Sequence, residues 1–200
     1  MSTRYGVWML VSLLVSGCTA HPISPPRVAP AQTIAVLPPN NRTDDPLVIA
    51  GDIVWDLFAH RSRRVTVTDV LAAEARAQLK QQGFTVVPPT VVEEAIGDHT
   101  PNSLEEAAAL TTQRKIKGSA LYIEITRWEP DTSLHPSRVL VSFEANLIDG
   151  TTGRILWTTH HPLRPVPTPG ATTQGGAYQI AAHHVAAQLL RAWGTQQPTS

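Results

Sequence analysis

Two stretches alternate apolar and polar residues so regularly that half-buried β-strands are the conformation that fits them. In 118–128, Leu121, Ile123 and Ile125 fall on one face, while Tyr122, Glu124, Thr126 and Trp128 fall on the other. In 139–147, Val139, Val141, Phe143, Ala145 and Leu147 oppose Ser142, Glu144 and Asn146. Successive side chains on a strand point to opposite faces, so a period of two marks a sheet with a core on one side. Asp149-Gly150-Thr151-Thr152-Gly153 reads as a turn, and 154–160 returns as a third strand containing Trp157. The order predicts a three-stranded antiparallel meander.

Upstream of the meander, 34–37 and 84–87 are short apolar runs stopped by Pro38-Pro39 and Pro88-Pro89, as expected of buried strands between breakers. Residues 40–46 form a loop. Ile49, Ile53 and Leu57, with Trp55 and Phe58 nearby, repeat at helical spacing up to His60, and 63–67 reads as an edge strand or a lead-in loop. Thr68 or Asp69 caps a helix that presents Leu71, Ala75 and Leu79 and stops at Gly83. Capping boxes at Thr90-Val91-Val92-Glu93 and Ser103-Leu104-Glu105-Glu106 predict two more helix starts, the second running through about Lys115. Tyr178, Ala182, Val185, Leu189 and Trp193 form the stripe of a closing helix over about 174–193. Pro162, Pro165, Pro167 and Pro169 stiffen the connection that leads to it. The predicted class is α/β (α+β): a single sheet with early strand–helix units, the antiparallel meander, and a C-terminal helix packed on the one face that helices cover.

The amino terminus sets the compartment. Arg4 precedes an almost wholly apolar run over 5–15, and small Ser16 and Gly17 lead to Cys18, which is the order of a secretory signal. The run is too short for a bilayer-spanning helix, which needs roughly 20 residues. Val15-Ser16-Gly17-Cys18 resembles the lipobox of bacterial lipoproteins. That resemblance implies removal of 1–17 and acylation of Cys18, and Thr19, where inner-membrane lipoproteins carry Asp, implies the outer membrane and its periplasmic face. Cys18 is the only cysteine, so it has no intramolecular disulfide partner. Each buried methylene contributes about 0.8 kcal/mol, so several acyl chains hold a protein to a membrane where one would not. Residues 18–32 then form a Pro-rich tether reaching roughly 35–40 Å in polyproline geometry. A single domain over 33–194 and a disordered tail over 195–200 complete the division.

Sixteen Lys and Arg balance sixteen Asp and Glu, and no basic run exceeds the scatter around Arg61, Arg63 and Arg64, so the footprint of a nucleic-acid binder is missing. The chain has no Gly-x-Ser-x-Gly elbow, phosphate-binding loop, dinucleotide fingerprint or His-Glu-x-x-His. His160 and His161 fall on opposite sides of a strand, and His183 and His184 lie about 100° apart on a helix, so neither pair points two nitrogens at one metal. Glu93, Glu94, Glu105 and Glu106 sit at helix starts, where they oppose the dipole. No catalytic residue, metal or cofactor is assigned. Tyr122, Trp128 and Trp157, large aromatics outside the alternating core, are the candidate partner-binding surface.

Leu147-Ile148-Asp149-Gly150-Thr151-Thr152-Gly153-Arg154-Ile155-Leu156-Trp157, with 34–41, 81–88 and 118–125, resembles the small α/β domain shared by the amino-terminal domain of TolB, CsgG and periplasmic lipoproteins. The resemblance implies a membrane-anchored, non-enzymatic component that binds envelope proteins during export or assembly, with homo-oligomers among its relatives. Its alternatives are a CsgG-like secretion pore, an activator of a peptidoglycan synthase, and a cell-wall hydrolase. The pore is disfavoured because Glu124 and Glu144 occupy one side of the strands and the helices need the other.

Overall fold

The alternation at 118–128 is realised as β6 (Ser119–Pro130), which pairs antiparallel with β7 (Arg138–Asp149) and parallel with β1 (Thr33–Val36). The structure, a computed structural model, describes residues 32–50, 64–97, 99–132 and 136–194. β8 (Ile155–Pro167) adds to β7, and β5 (Thr85–Val86) adds parallel to β1, giving the order β5-β1-β6-β7-β8. β2 (Asn40–Asn41) continues the pairing along β6. β3 (Val48–Ala50) and β4 (Val65–Thr66) form a separate antiparallel ribbon beside the main sheet. The ribbon makes 65–66 a strand. It also puts Ile49, read from sequence as helical, in a strand; the rest of that expected helix, 51–60, lies outside the described residues. The signal and nearly all of the tether lie outside them too.

Four helices complete the described chain: α1 (Val67–Gln81), α2 (Pro89–Ile96), α3 (Leu104–Gln113) and α4 (Gln174–Gly194). α1 and α4 cover one face of the sheet, setting Leu71, Ala75, Leu79, Tyr178, Val185 and Leu189 against Leu121, Ile123, Ile125, Val141 and Leu147. Tyr178, Ala182, Val185 and Leu189 of the closing helix thus pack where its stripe predicts, and the Trp193 side chain lies outside the described ones. Gln82 Nε2 donates to the Leu190 carbonyl at 2.9 Å and His183 Nδ1 meets Glu74 Oε2 at 3.1 Å, fixing the two helices in parallel. Sequence order suggested that helices cover one face only. In fact α2 and α3 cover part of the other, where Val92, Ile96, Ala107 and Leu110 close over Ala35, Leu37, Ala120, Tyr122 and Ile148.

Local signals were read with small displacements. Thr66, two or three residues ahead of Thr68 or Asp69, is the α1 cap, because its hydroxyl accepts the Asp69 N–H while the Asp69 carboxylate takes the Thr66 N–H. The Thr90 box does not form. Pro88 and Pro89 start α2 ahead of it, with the proline φ already helical. Ser103 does cap α3, but the Glu106 carboxylate accepts the Asn102 N–H at 2.7 Å instead of returning to Ser103. The proline-rich connection is strand, not linker. Pro162, Pro165 and Pro167 lie in β8, whose place at the sheet edge tolerates residues that donate no ladder hydrogen bond.

α1 and α3 end in the same six-residue closure with different residues at its left-handed position. After α1, Gly83 (φ 87°) donates to the Lys80 carbonyl and Phe84 to that of Leu79. After α3, Lys115 (φ 52°) donates to Thr112 and Ile116 to Thr111. Both are Schellman closures, which favour glycine where the lysine stands. Just beyond, Gly118 (φ 81°) lies so close to β1 that a Cβ would collide with the Thr33 carbonyl.

Gly118→Ala is expected to cost at least about 2 kcal/mol, through left-handed strain and the Thr33 collision. It should lower Tm by roughly 4–8 °C in a thermal melt. Lys115→Gly is expected to act in the opposite sense, stabilising by about 0.5–1 kcal/mol once the entropy of glycine in the unfolded chain offsets part of the relief.

Candidate functional site

The three aromatics singled out from sequence are all interior, so they are not an exposed docking surface in this chain; Tyr122 and Trp128 are fully buried and Trp157 is 9% exposed. Each is buried for its own reason. Tyr122 does face away from Leu121 and Ile123, but α2 and α3 cover it and its hydroxyl donates to the Pro101 carbonyl at 3.2 Å. Trp128 changes face at a bulge. Ile125 pairs with Phe143 and Arg127 with Ser142, so Thr126 is an extra residue and the parity beyond it reverses, returning Trp128 to the α1/α4 core. Trp157 lies opposite Leu147, whose side chain is in that same core, and cross-strand partners share a face.

What the helices leave uncovered is the outer part of the second sheet face. β6, β7 and β8 place Glu124, Glu144 and His160 directly across from one another. Tyr122, Asn146 and Thr158 form the neighbouring row. Two carboxylates opposite each other repel unless something balances them. Arg42, beside β2, places Nη1 2.9 Å from Glu124 Oε1, and this hydrogen bond together with the Glu124 charge raises the Arg42 pKa further. The amide of Asn146 donates to Glu144 at 2.9 Å and its carbonyl accepts from Thr158 Oγ1 at 2.6 Å. Asn146 is 1% exposed, so its polar atoms are satisfied within this network. Thr126, the bulged residue, donates to Ser142 and remains exposed.

The result is a fixed, acceptor-rich face on three paired strands, with the exposed His160 at its margin. Chemically, such a face suits hydrogen-bond donors and cationic groups. Sequence reading had placed Glu124 and Glu144 on the polar side of their strands. It missed that they are neighbours across the sheet, because only register supplies that. The histidine pairs separate as expected: His160 joins the open face, whereas His161 stacks on Phe143 with ring centroids 5.0 Å apart. His183 is engaged with Glu74. Among the described residues no group of three His, Cys, Asp or Glu is placed to hold a metal ion.

A hollow of about 290 Å³ lies past the carboxyl end of β1 and is lined by Pro38, Pro39, Asp69, Arg76, Val92 and Glu93. Burial lowers the Arg76 pKa, and the nearby Glu93 and Asp69 carboxylates oppose that shift. The hollow falls just below the roughly 300–1,000 Å³ of small-molecule sites.

Burial also acts on two phenols. It pushes the Tyr122 hydroxyl to about 12, and does the same to Tyr178, whose hydroxyl lies 3.1 Å from Asp45 Oδ2. A raised phenol pKa means the folded state holds the neutral form. The associated stability is complete below pH 10, the ordinary tyrosine value, and is lost as pH climbs from there toward 12. Tm is therefore expected to fall steeply across that alkaline window. Tyr122→Phe and Tyr178→Phe should each flatten the fall, which a pH series of melts measures.

Residues 27–189 match the model of the family described as GNA1162-like lipoproteins. Among solved structures, lipoprotein GNA1162 from Neisseria meningitidis is 22% identical, with a TM-score of 0.51 over 82% of this chain and 96% of that one. The PelC dodecamer from Paraburkholderia phytofirmans is 15% identical, with a TM-score of 0.51 over 84% of this chain and 91% of that one. At these identities the likeness is one of fold. No curated protein matches the sequence. Of the groups that 147–157 resembles, the match supports the lipoprotein one.

Proposed function

This chain belongs to the GNA1162-like lipoprotein family, and from that premise we propose that it is a non-enzymatic binding protein of the cell envelope. Acyl chains on Cys18 hold it to the periplasmic face of the outer membrane, as the Val15–Cys18 motif and Thr19 imply. No described helix is long and apolar enough to cross a membrane, so attachment rests on that residue in this reading. The domain binds other envelope proteins during assembly or export. The observation that carries this reading is the uncovered face of β6, β7 and β8, where Glu124, Glu144 and His160 stand in one cross-strand row.

Self-association is a second reading, favoured by the fold shared with PelC, which is a dodecamer. Pro162, Pro165 and Pro167 remove N–H donors from the β8 edge and disfavour continuous strand addition there.

Two measurements test the proposal. In fractionated cells the wild-type chain is expected in the outer membrane and the Cys18→Ser chain is expected to be lost from it; a Cys18→Ser chain that still fractionates with the outer membrane would refute lipid anchoring. In crosslinking of intact cells, Glu144→Lys with His160→Glu is expected to reduce partner adducts severalfold while the melt stays cooperative. Adducts at wild-type yield would remove the open face from the account.

A further inference from the structure

The strands and helices converge, at one end of the domain, on the point where the chain leaves toward Cys18. β1 begins at Thr33, and Gly118 abuts the Thr33 carbonyl. β6 starts there at Ser119, β7 ends there at Asp149, and Gly150 donates to the Gly118 carbonyl at 2.8 Å. β5 pairs with Thr33 through Thr85, so the C-terminus of α1 reaches the same end. The segments gathered here are 32–34, 80–86, 114–119, 149–155 and, through the bond from Gln82 to the Leu190 carbonyl, the α4 turn 187–190. They carry Lys80, Arg114, Lys115, Lys117 and Arg154, and one carboxylate, Asp149. Since the whole chain is balanced, this end is basic at the expense of the rest.

All five cations are exposed, and none forms an ion pair with another described residue. Asp149 is occupied otherwise: N–H groups of Thr152 and Thr151 and the Thr152 hydroxyl bind its carboxylate and hold its pKa below the usual range, with Arg154 nearby adding to that. Cations at a helix C-terminus are ordinary complements of the dipole, which accounts for Lys80 and Arg114. It does not account for Lys117 and Arg154, which belong to a loop and a strand turn. Nor does it account for Lys115, which holds a left-handed position where α1 uses Gly83.

We propose that this basic end is a membrane-seating surface: Lys80, Arg114, Lys115, Lys117 and Arg154 rest on the anionic phospholipid headgroups of the leaflet in which Cys18 is anchored. The inference rests on the lipid-anchored reading above. The tether leaves the domain at this end, so the basic surface is the first to meet the bilayer. Each Lys or Arg near an anionic surface contributes roughly fivefold in partition. That is weak for a free protein, but ample for one whose anchor holds it at high local concentration. Seating also orients the domain. Glu124, Glu144 and His160 lie farther along β6, β7 and β8 from this end, and so face the periplasm for a partner arriving from there.

The test uses the chain from residue 18 onward carrying Cys18→Ser, so that no acyl group contributes, with sedimentation of vesicles of phosphatidylcholine alone or mixed with phosphatidylglycerol. The expected result is partition onto the anionic vesicles only, abolished by high salt. Lys115→Gly with Lys117→Gln is expected to weaken partition about 25-fold, taking fivefold per charge, while Tm is maintained or raised. Arg64→Gln with Arg164→Gln removes the same net charge elsewhere and is expected to leave partition unchanged. No partition onto anionic vesicles, equal partition of the Lys115/Lys117 variant and wild type, or equal loss from the Arg64/Arg164 variant would each overturn the proposal. Because acylation is read separately by cell fractionation, failure here is distinct from failure of the anchor.

Discussion

β6 must be buried on both faces along its first half and on one face beyond it, and the other elements are placed by that requirement. From Ser119 to Ile123 every side chain is buried, Leu121 and Ile123 under α1 and α4, Ala120 and Tyr122 under α2 and α3. On either side the strand is flanked by β1 and β7, so its backbone groups are paired as well. Burial of a large aliphatic side chain contributes about 1.5–3 kcal/mol, and β6 makes that contribution to two cores at once. The bulge at Thr126 ends the regime. It turns Trp128 back into the α1/α4 core, while Glu124 and Glu144 stay half-buried on the opposite face, held by Arg42 and Asn146.

Much of this was legible in the sequence because it is local. The three strands of the meander, the Asp149 turn, the Gly83 stop and the stripe of α4 follow from period, cap and breaker residues. Trp128 was misplaced because strict alternation assumes an unbroken ladder, and nothing in Ile125-Thr126-Arg127 announces the extra residue. Trp157 and Tyr122 were misjudged for a different reason. Whether an aromatic is covered depends on which helix folds over it, a long-range property that α2, with only Val92 and Ile96 buried, signals weakly. The β8 extension was hidden by prolines, which deny a central strand but permit an edge one.

Charge shows the same division between local and assembled information. Along the chain the basic residues look scattered, and the overall balance excludes a nucleic-acid footprint. Folding brings Lys80, Arg114, Lys115, Lys117 and Arg154 to the end where the tether joins, and arranges carboxylates into a row on the open face. The molecule is therefore neutral in sum and polar in arrangement. The basic end and the open face are different surfaces of one sheet.

The most direct test of the open face is thiol accessibility, which the single native cysteine makes clean. His160→Cys can be placed in the purified Cys18→Ser chain, and separately in the native chain within intact envelopes, where Cys18, acylated in the proposal, presents no free thiol. Rapid maleimide labelling in the purified chain and strong protection in the envelope is the predicted result. Equal labelling in both settings would mean that nothing covers the face in the envelope, and would contradict its role in binding.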